Sequence, residues 1–181
     1  MWGSRWGSRW GAGEPRLFEA QFEIDKSVGG TSIIQVASLF ERVLIERLQR
    51  QPDDLRTMDR RRFEELIAEL FFGFGYEVEL TKRTRDGGKD IIAVKRAEVQ
   101  TRFLIECKRP DPGNPVGVST VRELYGVKVD DGASKAIIAT TTYFTADAKA
   151  FSERHKWELE TREFDDIHEW INKYLARTGR E

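Results

Sequence analysis

Three side chains in two neighbouring segments have the types and spacing to share a reaction. In the run Thr101-Arg102-Phe103-Leu104-Ile105-Glu106-Cys107-Lys108, a carboxylate and an ammonium stand two residues apart among apolar neighbours. Side chains alternate along a strand, so Leu104, Glu106 and Lys108 share one face. Phe103, Ile105 and Cys107 share the other, which is expected to supply the core. Upstream, Lys89-Asp90-Ile91-Ile92-Ala93-Val94 reads as a second strand, joined to the first by the hairpin-sized link 95–100. Antiparallel pairing would bring Asp90 level with Glu106. Two carboxylates that close raise each other's pKa unless a cation lies between them. Hard oxygen donors without histidine or thiolate favour Mg²⁺, with Mn²⁺ as a substitute. Lys108 beside a metal-bound phosphate could hold the attacking water and balance charge on the phosphoryl oxygens.

Alone, Glu-x-Lys reads more readily as an ion pair on a solvated strand face, which stabilises little. Asp90 at hairpin range brings the catalytic reading level with that one, and Glu64 on a preceding helix favours it further.

The elements that must position these groups follow from periodicity. After Thr57 or Asp59 as a cap, residues 60–72 read as an amphipathic helix with Phe63, Leu66, Ile67 and Leu70 inward, ended by Gly73 and Gly75. Strands are expected over 76–81, 89–94 and 101–108. A loop with Pro110, Pro112, Gly113 and Pro115 follows, then a helix over 118–132, a buried strand over 135–141, and a helix over 144–156. A short extended piece at 158–164 and a helix from Asp165 or Asp166 to Tyr174 complete the chain. This order predicts an α/β fold, a mixed central β-sheet flanked by helices, with 135–141 parallel to 101–108. Ahead of it, residues 16–28 alternate as a possible strand ended by Gly29-Gly30. Thr31 or Ser32 would then cap a helix through Ile33, Ile34, Val36, Ala37, Phe40, Val43, Leu44 and Leu48.

The text around these residues resembles the PD-(D/E)xK phosphodiesterase motif, and the Mrr-type restriction endonuclease domain in particular. The matching pieces are Phe63-Glu64-Glu65-Leu66, Gly75-Tyr76-Glu77-Val78, Asp86-Gly87-Gly88-Lys89-Asp90-Ile91 and Glu106-Cys107-Lys108-Arg109. Val121-Arg122-Glu123-Leu124-Tyr125-Gly126, Thr140-Thr141-Thr142-Tyr143-Phe144-Thr145 and Ala148 extend the match over about residues 53 to 176. Lys89 stands where the motif's name has proline. The resemblance implies a restriction-endonuclease-like αβββαβ core. It implies Mg²⁺ held by Asp90, Glu106 and the backbone carbonyl of Cys107, and Lys108 orienting the water. Glu64 would reach a metal-bound water or a second metal. Implied too are double-stranded DNA as partner, modified DNA as a candidate substrate, and a restriction or defence role. A homodimer or a separate specificity or motor subunit would serve double-strand cleavage and recognition. Two other readings stay open: a non-cleaving DNA- or partner-binding module, and a Holliday-junction-resolvase or repair nuclease.

Lys82, Arg83, Arg85 and Lys89, with Arg109 and Arg122, could track a DNA backbone, or simply form solvated basic surface. Asp86 opens a turn and reads as loop architecture. Cys107 reads as an inert small hydrophobe.

Composition sets the frame. The 181 residues carry 30 Lys and Arg against 31 Asp and Glu, a formal charge of -1, so any polyanion site is a local patch. The single cysteine excludes an internal disulfide and fits a reducing cytoplasm. No run approaches the length of a membrane span. The expected organisation is a Trp/Gly/Ser/Arg tail at 1–14, an accessory segment at 15–52, a nuclease domain at 53–176 and a tail at 177–181. The first reads as a mobile tail, with a base-stacking arm as the alternative.

Overall fold

The computed structural model describes residues 34–35, 42–81 and 88–179. The expected strand at 16–28, the tail at 1–14 and the turn at Asp86 lie outside the described residues, as do Lys82, Arg83 and Arg85.

A two-residue strand β1 (Ile34–Gln35) and helix α1 (Arg42–Arg50) open the described chain, followed by the single turn α2 (Asp54–Thr57). The helix expected from Thr31 or Ser32 is therefore corrected. Ile34 and Gln35 pair antiparallel with Leu80 and Glu79, and the described helix spans Arg42–Arg50. An isoleucine suits a sheet position, and the strand over 77–80 would otherwise be an unpaired edge. The buried face of α1 is Ile45 and Leu48, whereas Val43 is exposed. Its outer residues tie it to the last helix: Gln49 Nε2 donates to Asn172 Oδ1 at 2.9 Å.

Helix α3 (Arg60–Gly73) starts where Asp59 accepts a hydrogen bond from the Arg61 N–H, and it buries Phe63, Leu66, Ile67 and Leu70 as its periodicity predicts. Strands β2 (Glu77–Leu80), β3 (Ile91–Lys95) and β4 (Thr101–Lys108) form the antiparallel half of the sheet. Helix α4 (Val118–Asp131) ends at Gly132, whose φ of 71° is a left-handed cap open to glycine. It carries the chain over to β5 (Lys135–Thr140), which runs parallel to β4, as expected. Helix α5 (Ala146–Arg154) then leads to β6 (Leu159–Arg162), parallel to β5. The sheet order is β1-β2-β3-β4-β5-β6. Helix α6 (Phe164–Thr178) runs past Tyr174, because Glu163 and Asp166 cap its start reciprocally and Leu175 adds to the packed face.

One core cluster joins α1, α3 and α6 to the Ile91, Ala93, Ile105 and Cys107 face of the sheet. A second joins Val121 and Leu124 of α4 and Ala148 of α5 to Ala136 and Ile138 on the opposite face. The Phe103, Ile105 and Cys107 face of β4 supplies core as expected, and the other face adds to it. Leu104, on the face shared with Glu106, is fully buried because helices cover both sides of a parallel β4–β5 pair.

Candidate active site

The site forms where the β3–β4 hairpin runs out. Ile91 lies opposite Ile105 in the last ladder pair, which sets Asp90 level with Glu106 one step further on. The Asp90 N–H donates to the Ile105 carbonyl at 2.9 Å, and Asp90 Oδ2 accepts the Cys107 N–H at 2.7 Å. Thr81, just past β2, closes the other side. Its N–H donates to the Asp90 carbonyl at 2.8 Å, and its hydroxyl to the Lys89 carbonyl at 2.9 Å.

Glu106 is only 6% exposed, and Lys108 Nζ lies 2.5 Å from its Oε1. The ion pair is thus one-sided, with Glu106 buried and the Lys108 side chain 34% exposed. Burial raises the Glu106 carboxyl pKa above the usual range. Lys108 opposes that, while the Asp90 and Glu123 carboxylates add to it. A carboxylate held in that position is one that a cation would stabilise. The Cys107 thiol, buried in the core beneath, is pushed well up, first by burial and then by the Asp90 charge, and stays protonated and inert.

Glu64 comes from α3, buried to 3% exposure. Its Oε1 accepts from Arg60 Nε at 3.2 Å and its Oε2 from Arg61 at 3.0 Å. Arg60 also reaches Asp90 Oδ1 at 3.6 Å, linking the helix carboxylate to the strand carboxylate. Sequence reasoning missed Arg60 and Arg61. The signal was available in their spacing of four and three residues ahead of Glu64, which places them on its helix face.

The basic residues divide. Lys89 points away to Asp131 on α4, at 2.5 Å, where Arg102 joins it. Arg109 donates to the Arg56 carbonyl at 3.3 Å, and its buried Nε has no partner. Arg122 is exposed on α4, with its guanidinium 5.4 Å from the Phe151 ring centre. A cavity of about 520 Å³ lined by Phe71, Tyr76, Phe103 and Trp170 lies toward the opposite end of β4 and contains none of these groups.

Among the described residues, no three His, Cys, Asp or Glu side chains are grouped as a metal cluster. The Asp90 and Glu106 carboxylates, level across the hairpin, are hard oxygen donors of the kind a divalent cation that keeps several of its waters takes.

A family model described as Mrr_cat, restriction endonuclease, matches residues 55–171. The chain belongs to this restriction endonuclease family. The match takes in every group placed above, from α3 to α6. Among solved structures, the chain is similar to the DNA modification-dependent restriction endonuclease AspBHI, with a TM-score of 0.52 and 20% identity over 77% of this chain and 40% of that one. Restriction endonuclease FokI gives a TM-score of 0.52 at 10% identity, covering 80% of this chain and 29% of that one. Both likenesses support the mixed-sheet fold alone. An uncharacterized protein, y4cE of Sinorhizobium fredii (strain NBRC 101917 / NGR234), is 29% identical over 106 residues. That match covers 58% of this chain and 27% of the relative, so the chain spans about a quarter of its curated relative's length. Among the described residues, no helix is long and apolar enough to cross a membrane.

Proposed function

We propose that this domain is an endonuclease that hydrolyses DNA phosphodiester bonds with a divalent cation, Mg²⁺ or Mn²⁺. The carrying observation is the level placement of Asp90 and Glu106 at the end of one hairpin, with Lys108 against the buried Glu106. In this reading Asp90, Glu106 and the Cys107 carbonyl hold the cation. When bound, the cation supplies charge stabilisation at the scissile phosphate and activates water. Lys108 orients that water, exchanging its contact with Glu106 for one with the nucleophile. Glu64 holds the arginine pair at the mouth of the site and is the candidate for a second cation contact.

Double-stranded DNA is the proposed partner, approached through Arg60, Lys108 and the exposed Arg122. Double-strand scission would be served by a homodimer or by a separate recognition or motor subunit. Modified DNA is a candidate substrate. The test is plasmid nicking in Mg²⁺. Asp90→Ala, Glu106→Ala and Lys108→Ala should each abolish it while far-UV circular dichroism stays unchanged. Undiminished cleavage by two of the three removes the assignment. DNA binding in Ca²⁺ without nicking in any divalent metal would favour a non-cleaving binding module instead.

A further inference from the structure

Three acidic side chains of the site, Glu64, Asp90 and Glu106, each lie against a cation of the same chain. Lys108 lies on Glu106, Arg61 on Glu64, and Arg60 spans Glu64 and Asp90. These contacts differ in how easily they can be given up. Arg61 is the more buried of the two arginines, and its guanidinium also donates to the Thr81 carbonyl at 3.2 Å, so it is fixed between α3 and the end of β2. The Arg60 side chain is 54% exposed and has an open path to solvent. If Arg60 leaves, Glu64 keeps Arg61. Among the ion pairs of the described residues, Arg60 is the one partner of Asp90.

We infer that Arg60 is an internal competitor for the cation: it neutralises Asp90 while the site is empty and must withdraw before a divalent ion is held there. The physical reason is simple exclusion of like charge. A guanidinium 3.6 Å from Asp90 Oδ1 and a divalent ion on the same carboxylate repel each other, an effect softened by the exposure of Arg60. The displaced guanidinium stays tethered to the first turn of α3, beside the cleft. Displacement therefore raises the local positive charge when the ion arrives, which favours a polyanion. The ion and the DNA would be coupled through one side chain, each easing the binding of the other.

This rests on the proposed cation-binding role of Asp90, and the test separates the two. Mn²⁺ binding to the DNA-free 181-residue chain is measured by calorimetry and by the Mn²⁺-induced rise in melting temperature. Arg60→Gln removes the competitor and should tighten Mn²⁺ by about two- to fivefold, the size of one partly exposed ion pair. Its Mn²⁺-induced rise in melting temperature should exceed that of the unsubstituted protein. Arg60→Lys keeps the charge without the fork that reaches both carboxylates, and should tighten binding less. Unchanged or weaker Mn²⁺ affinity in Arg60→Gln overturns the competition while leaving the cation site standing. Asp90→Asn should bind Mn²⁺ far more weakly. If it binds as the unsubstituted protein does, the cation site itself is wrong, and the competition falls with it.

Discussion

Asp90 is bonded to the strand that carries its partners: its Oδ2 accepts the Cys107 N–H at 2.7 Å, between Glu106 and Lys108 in sequence. One carboxylate oxygen thus fixes the register of the hairpin end, while Oδ1 faces Arg60. Structure and chemistry are divided between two atoms of one side chain.

That division predicts two separable losses. Asp90→Ala leaves the Cys107 N–H without its acceptor and should cost about 1–3 kcal/mol of stability as well as activity. Asp90→Asn keeps an amide oxygen for that bond and should lose cleavage with a much smaller fall in urea midpoint. Equal destabilisation by both would show that the charge, and not the bond, holds the hairpin end.

The raised carboxyl of Glu106 gives a pH dependence with a definite sign. A carboxyl whose folded pKa lies above its unfolded value binds more protons when folded, so stability falls as pH rises between the two. The reference value is 4.5, and the folded value lies above it because burial outweighs Lys108. Glu106→Gln, which mimics the protonated form, should therefore raise the melting temperature at pH 8 without metal. The gain should shrink as pH falls toward 4. A gain that persists at pH 4 would show that it has nothing to do with ionisation.

Lys108 and Glu106 should be coupled. Lys108→Met removes the ammonium that lies on a buried carboxylate, so it should lower the melting temperature at pH 8. Adding Glu106→Gln should restore most of that loss. Cleavage should fall by about two to four orders of magnitude in Lys108→Met, the usual size for a positioned proton-transfer or charge-stabilising group. A double variant no more stable than Lys108→Met alone would deny the coupling.

Far from the site, Gly73 closes α3 against Tyr174, and a Cβ there would stand 2.3 Å from the tyrosine ring. The same tyrosine donates to the buried Glu69 Oε1 at 2.7 Å, so it cannot swing aside without stranding that carboxylate. Gly73→Ala should destabilise by about 1–3 kcal/mol through overpacking, read from chemical denaturation. Cleavage per folded molecule should be unchanged.

The alternation of β4 and the position of Asp90 made the central pair legible before any coordinates, because strand periodicity and a short link leave little freedom in register. The parallel β4–β5 pairing followed from the crossover helix. The burial of Glu106 could not be read that way, since it depends on α4 and α5 covering a face that a strand pattern alone leaves undefined. Helical spacing hinted at Arg60 and Arg61 near Glu64, yet their reach to Asp90 and Thr81 is set by tertiary packing. The start of α1 was misplaced for a similar reason. Ile34 fits a helical pattern and a strand equally well, and the open edge of β2 decides between them.

The two strands of the β3–β4 hairpin are not equally secured at the end that carries Asp90 and Lys108. Lys108 is clamped by β5, which pairs with it at Thr140, and by the Thr141 N–H, which donates to the Lys108 carbonyl. Asp90 sits one step past the last ladder pair of β3, held by the Ile105 carbonyl, Thr81 and Cys107, and the described chain resumes just before it at Gly88. Warming should therefore fray the hairpin from the Asp90 side first. The proposed cation binding and cleavage should then be lost at a temperature where the sheet and helices are still intact.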